Sequence, residues 1–205
     1  MLVAVSFIKS KYSEKETIDI INQTSSDFLH VDIMDGIFVE NKNYDFDDIE
    51  LFVKDNHLPL DVHLMCNNPF SYIEDYIKLK PYNITFHIEA VESPEKLINY
   101  LHDNGIKCGL AINPDTDIKE IIPYLDKIDT VLVMSVYPGK GGQKFIPSVV
   151  NKINELSKLK GNFVIEVDGG VNNETIALLD NADIVVSGSY VCCSDDYEER
   201  IKKLK

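Results

Sequence analysis

The sequence predicts a (β/α)8 barrel, and three observations carry that reading. Eight short runs rich in Val, Ile and Leu alternate with segments of helical spacing along the chain. The runs are apolar on both faces, as buried parallel strands are. The glycine-rich loops come late, after the sixth, seventh and eighth runs, whereas the first ends Ser6-Phe7-Ile8-Lys9-Ser10 without one. An open doubly wound sheet, the competing architecture, usually carries its glycine fingerprint after the first strand. A barrel builds its phosphate site from its last loops.

The expected strands cover residues 2–8, 28–33, 60–64, 83–86, 107–112, 130–134, 163–167 and 183–187. Between them, residues 14–24, 69–78, 93–104, 118–124, 148–160, 172–179 and 195–204 have helical spacing with polar faces. Start signals support several of these. Ser93 precedes Pro94 at a first helical position, and Asn172 precedes Asn173 and Glu174. Asn104-Gly105 is a natural helix stop. Residues 40–48, with Asn41, Asn43 and three Asp, read as an irregular polar loop. No Gly/Ser-rich or Pro-rich linker interrupts the pattern, so residues 1–205 read as a single domain.

Composition narrows the partners. The chain has 205 residues, 44% apolar content and a formal charge of −14, which argues against nucleic acid and anionic membranes. An anionic substrate would therefore need a local N–H-rich or positive spot. Cys66, Cys108, Cys192 and Cys193 form no CxxC pair, as expected for reduced thiols in a cytoplasmic protein. The first residues lack the charged and long apolar regions of a signal peptide, and no apolar run approaches the roughly 20 residues of a membrane span.

The chemistry-bearing residues gather at the ends of the expected strands. His30 and Asp32 are two apart, so on a strand they share one face; His63 and Asp168 occupy the same kind of position in two other runs. Alone, each is more often a hydrogen-bonded core residue than a ligand. Four at one barrel mouth are different, because uncompensated burial of Asp costs several kcal/mol and a metal offsets it. Two His and two carboxylates suit a divalent transition ion: Zn²⁺ first, with Fe²⁺, Mn²⁺ or Co²⁺ as alternatives. Two carboxylates flanking a substrate can also move protons on and off one carbon.

Loops 134–143, 168–171 and 187–189 bring Gly139, Gly141, Gly142, Gly169, Gly170 and Gly188 to the same face, and together they read as a phosphate cradle. Met34, Met65 and Met134 stand at strand ends, where they can wall off water from a planar anionic intermediate. Glu166 is expected to point into the barrel below the site, ordering a ligand or pairing with another polar group. His87 faces the same mouth with no clear role, and His57 and His102 read as surface residues.

These strings resemble the ribulose-phosphate 3-epimerase family. The resemblance rests on His30-Val-Asp-Ile-Met-Asp-Gly36, Asp61-Val-His-Leu-Met65, Ile84-Thr-Phe-His-Ile-Glu-Ala90, residues 110–114, 131–135 and 138–145, and Ile165-Glu-Val-Asp-Gly-Gly-Val171. They run in order through nearly the whole chain. The resemblance implies a barrel epimerase acting at C3 of D-ribulose 5-phosphate. It implies Asp32 and Asp168 as the acid/base pair, and His30, Asp32, His63 and Asp168 as metal ligands. Substrate contacts are expected from Ser6, Met34, His63, Met65, Met134, Gly139, Lys140, Gly141, Gly142, Asp168, Gly169, Gly170, Gly188 and Ser189. A homo-oligomer is implied as well.

The departures are Lys9 in the first loop, Tyr137 and Lys140 in the sixth, and Tyr190 in the last. They leave the metal and acid/base positions intact but bear on the sugar. D-allulose 6-phosphate 3-epimerase is therefore the near rival, and a non-catalytic phosphosugar-binding barrel the rival from another class.

Overall fold

The structure, a computed structural model, describes residues 1–159 and 161–205. Eight parallel strands close on themselves in sequence order: β1 (Leu2–Ser6), β2 (Phe28–Met34), β3 (Leu60–Met65), β4 (Asn83–His87), β5 (Lys107–Ile112), β6 (Thr130–Met134), β7 (Val164–Asp168) and β8 (Ile184–Ser187). β1 pairs with both β2 and β8, so no strand edge is left exposed. The expected (β/α)8 barrel is the fold.

Alternation along each strand divides the molecule into two environments. One set of residues packs outward against the helices in a large apolar cluster that includes Val31, Ile33, Val62, Leu64, Val131 and Val133. The other set fills the barrel, and much of it is polar: Ser6, His30, Asp32, Asp61, His63, Asn83, Thr85, His87, Thr130 and Glu166 are all buried. Ala4, Phe28, Ile184 and Val186 form a separate apolar cluster. Gly109 makes room inside: a Cβ there would lie 2.1 Å from Thr85 Oγ1 and 3.0 Å from Thr85 Cβ. Gly109→Ala should cost about 1–3 kcal/mol of stability, as overpacked cores do. A urea unfolding midpoint equal to that of the unmodified chain would show that Thr85 yields without cost.

The helices are α1 (Glu14–Ile21), α2 (Phe46–Phe52), α3 (Pro69–Tyr76), α4 (Glu95–Asp103), α5 (Val149–Lys158), α6 (Ser189–Cys192) and α7 (Tyr197–Lys202). Ser13 and Glu16 form a capping box at the start of α1. Pro69 opens α3 where a missing N–H costs nothing.

The structure corrects four expectations. Residues 46–52 form α2, where the sequence suggests loop through residue 48. The Asp48 carboxylate accepts the Asp45 N–H at 3.1 Å, and Ile49 is buried beneath the helix. Residues 118–124 form two 3-10 turns, Ile118–Glu120 and Ile122–Tyr124, because Pro123 has no N–H to continue a helix. In 172–179 only Ile176–Leu178 is helical, as a 3-10 turn; the Asn172 side chain captures the N–H groups of Glu174 and Thr175. The last segment begins its helix at Tyr197, where Asp196 caps it, and a short helix, α6, precedes it. The expected end of the fifth helix at Lys160 lies outside the described residues. No helix among the described residues is long and apolar enough to cross a membrane.

Candidate active site

Strand register assembles the site. It sets Ser6 beside His30, Asp32 beside His63, Met34 beside Met65, and Met134 beside Asp168. His30 and Asp32 thus face the barrel together, and β3 and β7 bring His63 and Asp168 to the same spot. His63 Nδ1 lies 3.1 Å from Asp32 Oδ1 and 3.9 Å from Asp168 Oδ2, and His30 Nε2 lies 3.3 Å from Asp32 Oδ1. One ligand atom from each of the four residues falls within 4.8 Å of all the others.

This donor set fits a divalent transition ion. It offers two imidazole nitrogens and two carboxylates. His30 Nε2 is buried without a hydrogen-bond partner, a vacant lone pair or proton that a folded core rarely tolerates. Polar groups support these four residues from outside. Ser6 Oγ donates to Asp32 Oδ2 at 2.7 Å. His30 Nδ1 lies 2.6 Å from Asp61 Oδ2, and since a carboxylate accepts, Nδ1 donates and Nε2 is left to face the site. Asn83 Nδ2 donates to the other Asp61 oxygen at 2.9 Å. Asn43 reaches back from the β2 loop, donating to the Asp32 carbonyl at 2.7 Å and accepting the Met34 N–H at 2.8 Å.

The two central carboxylates have opposite proton affinities in the metal-free protein. Burial alone raises both. At Asp32 the adjacent His30 and His63 outweigh burial and hold the carboxyl well below the usual range. At Asp168 burial and the charge of Asp32 push the carboxyl up to about 7. Burial also lowers the affinity of His30 for a proton, but the carboxylates of Asp32 and Asp61 prevail and raise it well above the ordinary value. Burial and the neighbouring charge of Asp61 push the Glu166 carboxyl well above the usual carboxylate range. Glu166 joins His30 and Asp61 in a second cluster below the first, as its position two residues before Asp168 implied.

Above the carboxylates opens a cleft of about 600 Å³. Met34, Met65 and Met134 line it with Ser6, Asp32 and Asp168. Its far wall is made of Gly139, Lys140, Gly141, Gly142, Gly169, Gly170, Gly188 and Ser189. The three late glycine loops therefore converge on one side of one cleft. His30 and His63 sit beneath it, 1% and 0% exposed.

Comparison with known proteins gives this arrangement its relatives. The model of the ribulose-phosphate 3 epimerase family matches residues 2–192. The chain belongs to the ribulose-phosphate 3-epimerase family. It is 37% identical over 186 residues to the ribulose-phosphate 3-epimerase of Mycobacterium bovis, covering 88% of this chain and 81% of that one. It is 36% identical over 211 residues to that of Helicobacter pylori strain J99, covering 100% and 97%. Among solved structures, 3-hexulose-6-phosphate synthase from Salmonella typhimurium superposes with a TM-score of 0.69 at 16% identity, covering 100% and 96%. KGPDC from Streptococcus mutans reaches 0.72 at 12% identity, covering 99% and 94%. At such identities these likenesses concern the fold alone.

Within this family member, the departing residues divide. Lys140 and Tyr190 line the cleft. Tyr137 does not: its hydroxyl donates to Asp115 at 2.7 Å. Lys9 lies against Gly141 and Gly142, where its Nζ would be 3.2 Å from a Cβ on Gly142. Three supporting residues escaped the sequence reading. Asp61 stands two before His63, the same signal that paired His30 with Asp32, and was legible. Asn43 was not, because a loop that folds back onto a strand end leaves no periodicity. Glu89 came to light only through its contact with His87.

Proposed function

We propose that the chain inverts C3 of a phosphorylated ketose, converting D-ribulose 5-phosphate to D-xylulose 5-phosphate. The supporting observation is geometric: Asp32 from β2 and Asp168 from β7 meet at the floor of one cleft that also carries three glycine loops. The C3 proton of a 2-ketose is acidic because the neighbouring carbonyl delocalises the charge left behind as an enediolate. One Asp takes that proton from one face of the sugar, and the other returns a proton to the opposite face, which inverts the centre. The direction of reaction decides which Asp acts first.

His30, Asp32, His63 and Asp168 would hold a divalent ion, Zn²⁺ being the expected one. When bound, it supplies Lewis-acid stabilisation of the charge that builds on the substrate oxygens. Ser6 keeps Asp32 oriented through its 2.7 Å hydrogen bond. The three Met side chains exclude water from the reacting carbon. Backbone N–H groups of the glycine loops hold the phosphate and position C3 from the non-reacting end.

Exhaustive chelation should abolish turnover, and Zn²⁺, Fe²⁺, Mn²⁺ or Co²⁺ should restore it. Full activity in protein shown metal-free by elemental analysis would remove the ion from the mechanism. The reloaded preparation should turn over D-ribulose 5-phosphate faster than D-allulose 6-phosphate. The reverse order would reassign the substrate to the hexulose phosphate. Binding of both without turnover, whatever the ion, would make the chain a phosphosugar-binding barrel.

A further inference from the structure

His87 and Glu89 lie directly behind His63 and do not line the cleft. His87 is fully buried at the end of β4, under the ring of Phe38 at 4.7 Å. Its Nε2 is 2.9 Å from His63 Nε2, and its Nδ1 is 3.1 Å from Glu89 Oε2. Glu89 Oε1 accepts the Asn113 N–H at 2.8 Å and the Thr116 hydroxyl. The loop bearing those two groups is anchored in turn by Lys152 of α5. Its ammonium donates to the carbonyls of Asn113 at 2.9 Å, Pro114 at 2.6 Å and Thr116.

Donor and acceptor rules fix the protons along this line. The Asn113 N–H can only donate, so Glu89 must present an oxygen to it. The remaining Glu89 oxygen accepts from His87 Nδ1–H. His87 Nε2 is then a bare lone pair, and His63 Nε2 must carry the hydrogen between them. His63 Nδ1 is then the nitrogen that faces Asp32, at 3.1 Å, and Asp168, and it can offer its lone pair there once an ion takes the place of the hydrogen it shares with the Asp32 carboxylate. We infer that His87 and Glu89 are positioning residues that hold His63 in the one tautomer able to ligate an ion through Nδ1. The inference rests on the metal-site reading proposed above and assigns the pair a part in it. Partners behind a ligating histidine generally govern its affinity in this way.

Zn²⁺ affinity of the metal-free full-length protein, measured by competition with a chromophoric chelator, tests this without any substrate. Glu89→Gln is isosteric, yet Asn113 N–H keeps the amide oxygen on its side. The amide NH₂ then faces His87 Nδ1, so His87 Nε2 becomes a donor and His63 must present a bare Nε2. That puts the hydrogen on Nδ1, where it blocks the ion. E89Q should therefore weaken Zn²⁺ binding roughly 10- to 100-fold. His87→Gln can still accept from His63 and donate to Glu89, and it should retain most of the affinity. His87→Phe keeps the ring volume and the Phe38 contact but cannot accept, and it should lose as much as E89Q.

A merely structural role predicts the opposite order, with the isosteric E89Q mildest and the truncated ring of H87Q worst. E89Q or H87F binding Zn²⁺ like the unmodified chain would overturn the inference, as would H87Q falling to their level. An unmodified chain that binds no divalent ion would overturn the metal-site reading itself, and this inference with it.

Discussion

Asp168→Asn is expected to lower epimerisation by roughly 10²- to 10⁴-fold, the range lost when a positioned proton carrier is removed. The amide keeps the size of the side chain and one oxygen, so the barrel should stay folded with the same circular dichroism. The same substitution should make the metal-free protein more stable at alkaline pH. Asp168 has an ordinary carboxyl value of 3.8, raised to about 7 in the fold by burial and by Asp32. The unfolded chain therefore ionises Asp168 first, and stability falls as pH rises from about 4 to about 7, then stays low. An amide has no charge to desolvate. At pH 8 the metal-free D168N protein should exceed the unmodified one by roughly 1–3 kcal/mol, and the gap should close as pH falls toward 4. Urea titrations at pH 8 and pH 5 check both the sign and the window. Near-normal turnover in D168N would remove Asp168 from the proton path.

Gly170→Ala should have the second largest effect, on phosphate binding. Gly170 has φ +65°, and a Cβ there would sit 2.5 Å from Phe145 N, 2.9 Å from Phe145 Cα and 3.0 Å from the Gln143 carbonyl. All three are backbone atoms, so no side chain can rotate out of the way. The loop carrying Gly139, Gly141 and Gly142 must shift, and with it the N–H groups proposed to meet the phosphate. KM for the ketose phosphate should rise well over tenfold (about 1.4 kcal/mol) with a smaller change in kcat, since the loop serves binding more than proton transfer. Gly105→Ala is the control. Its φ of +73° is similar, but a Cβ would meet nothing within 4 Å. That variant should lose about 1–2 kcal/mol of stability from backbone strain and leave KM unchanged. A G170A protein with unchanged KM would place the phosphate elsewhere.

The fold was legible because parallel strands buried on both sides carry a dense apolar signal, and their ends carried the ligand-type residues. His30 and Asp32 could be assigned to one face from spacing alone. Their closeness to His63 and Asp168 could not, since it depends on barrel closure and on the register that pairs Asp32 with His63. The helical layer was less legible. Residues 118–124 and 172–179 have helical spacing, but Pro123 and the Asn172 side chain divert the backbone hydrogen bonds that a helix would need. α2 was masked by the acidic residues of its first turn, which look like loop until their capping role is seen. The polar barrel interior hid in plain view. Asp61, Asn83 and Thr85 each sit in an apolar run, and their pairing emerges only when β3 and β4 are side by side.

Proton exchange at C3 tests the two-carboxylate reading most directly. D-ribulose 5-phosphate should be turned over in D₂O by the metal-loaded protein and the product followed by NMR from the first turnovers. Delivery from the second Asp, itself equilibrated with solvent, predicts that the D-xylulose 5-phosphate first formed carries deuterium at C3. First-formed product that keeps the substrate's own C3 hydrogen would contradict removal by one Asp and delivery of a solvent-derived proton by the other.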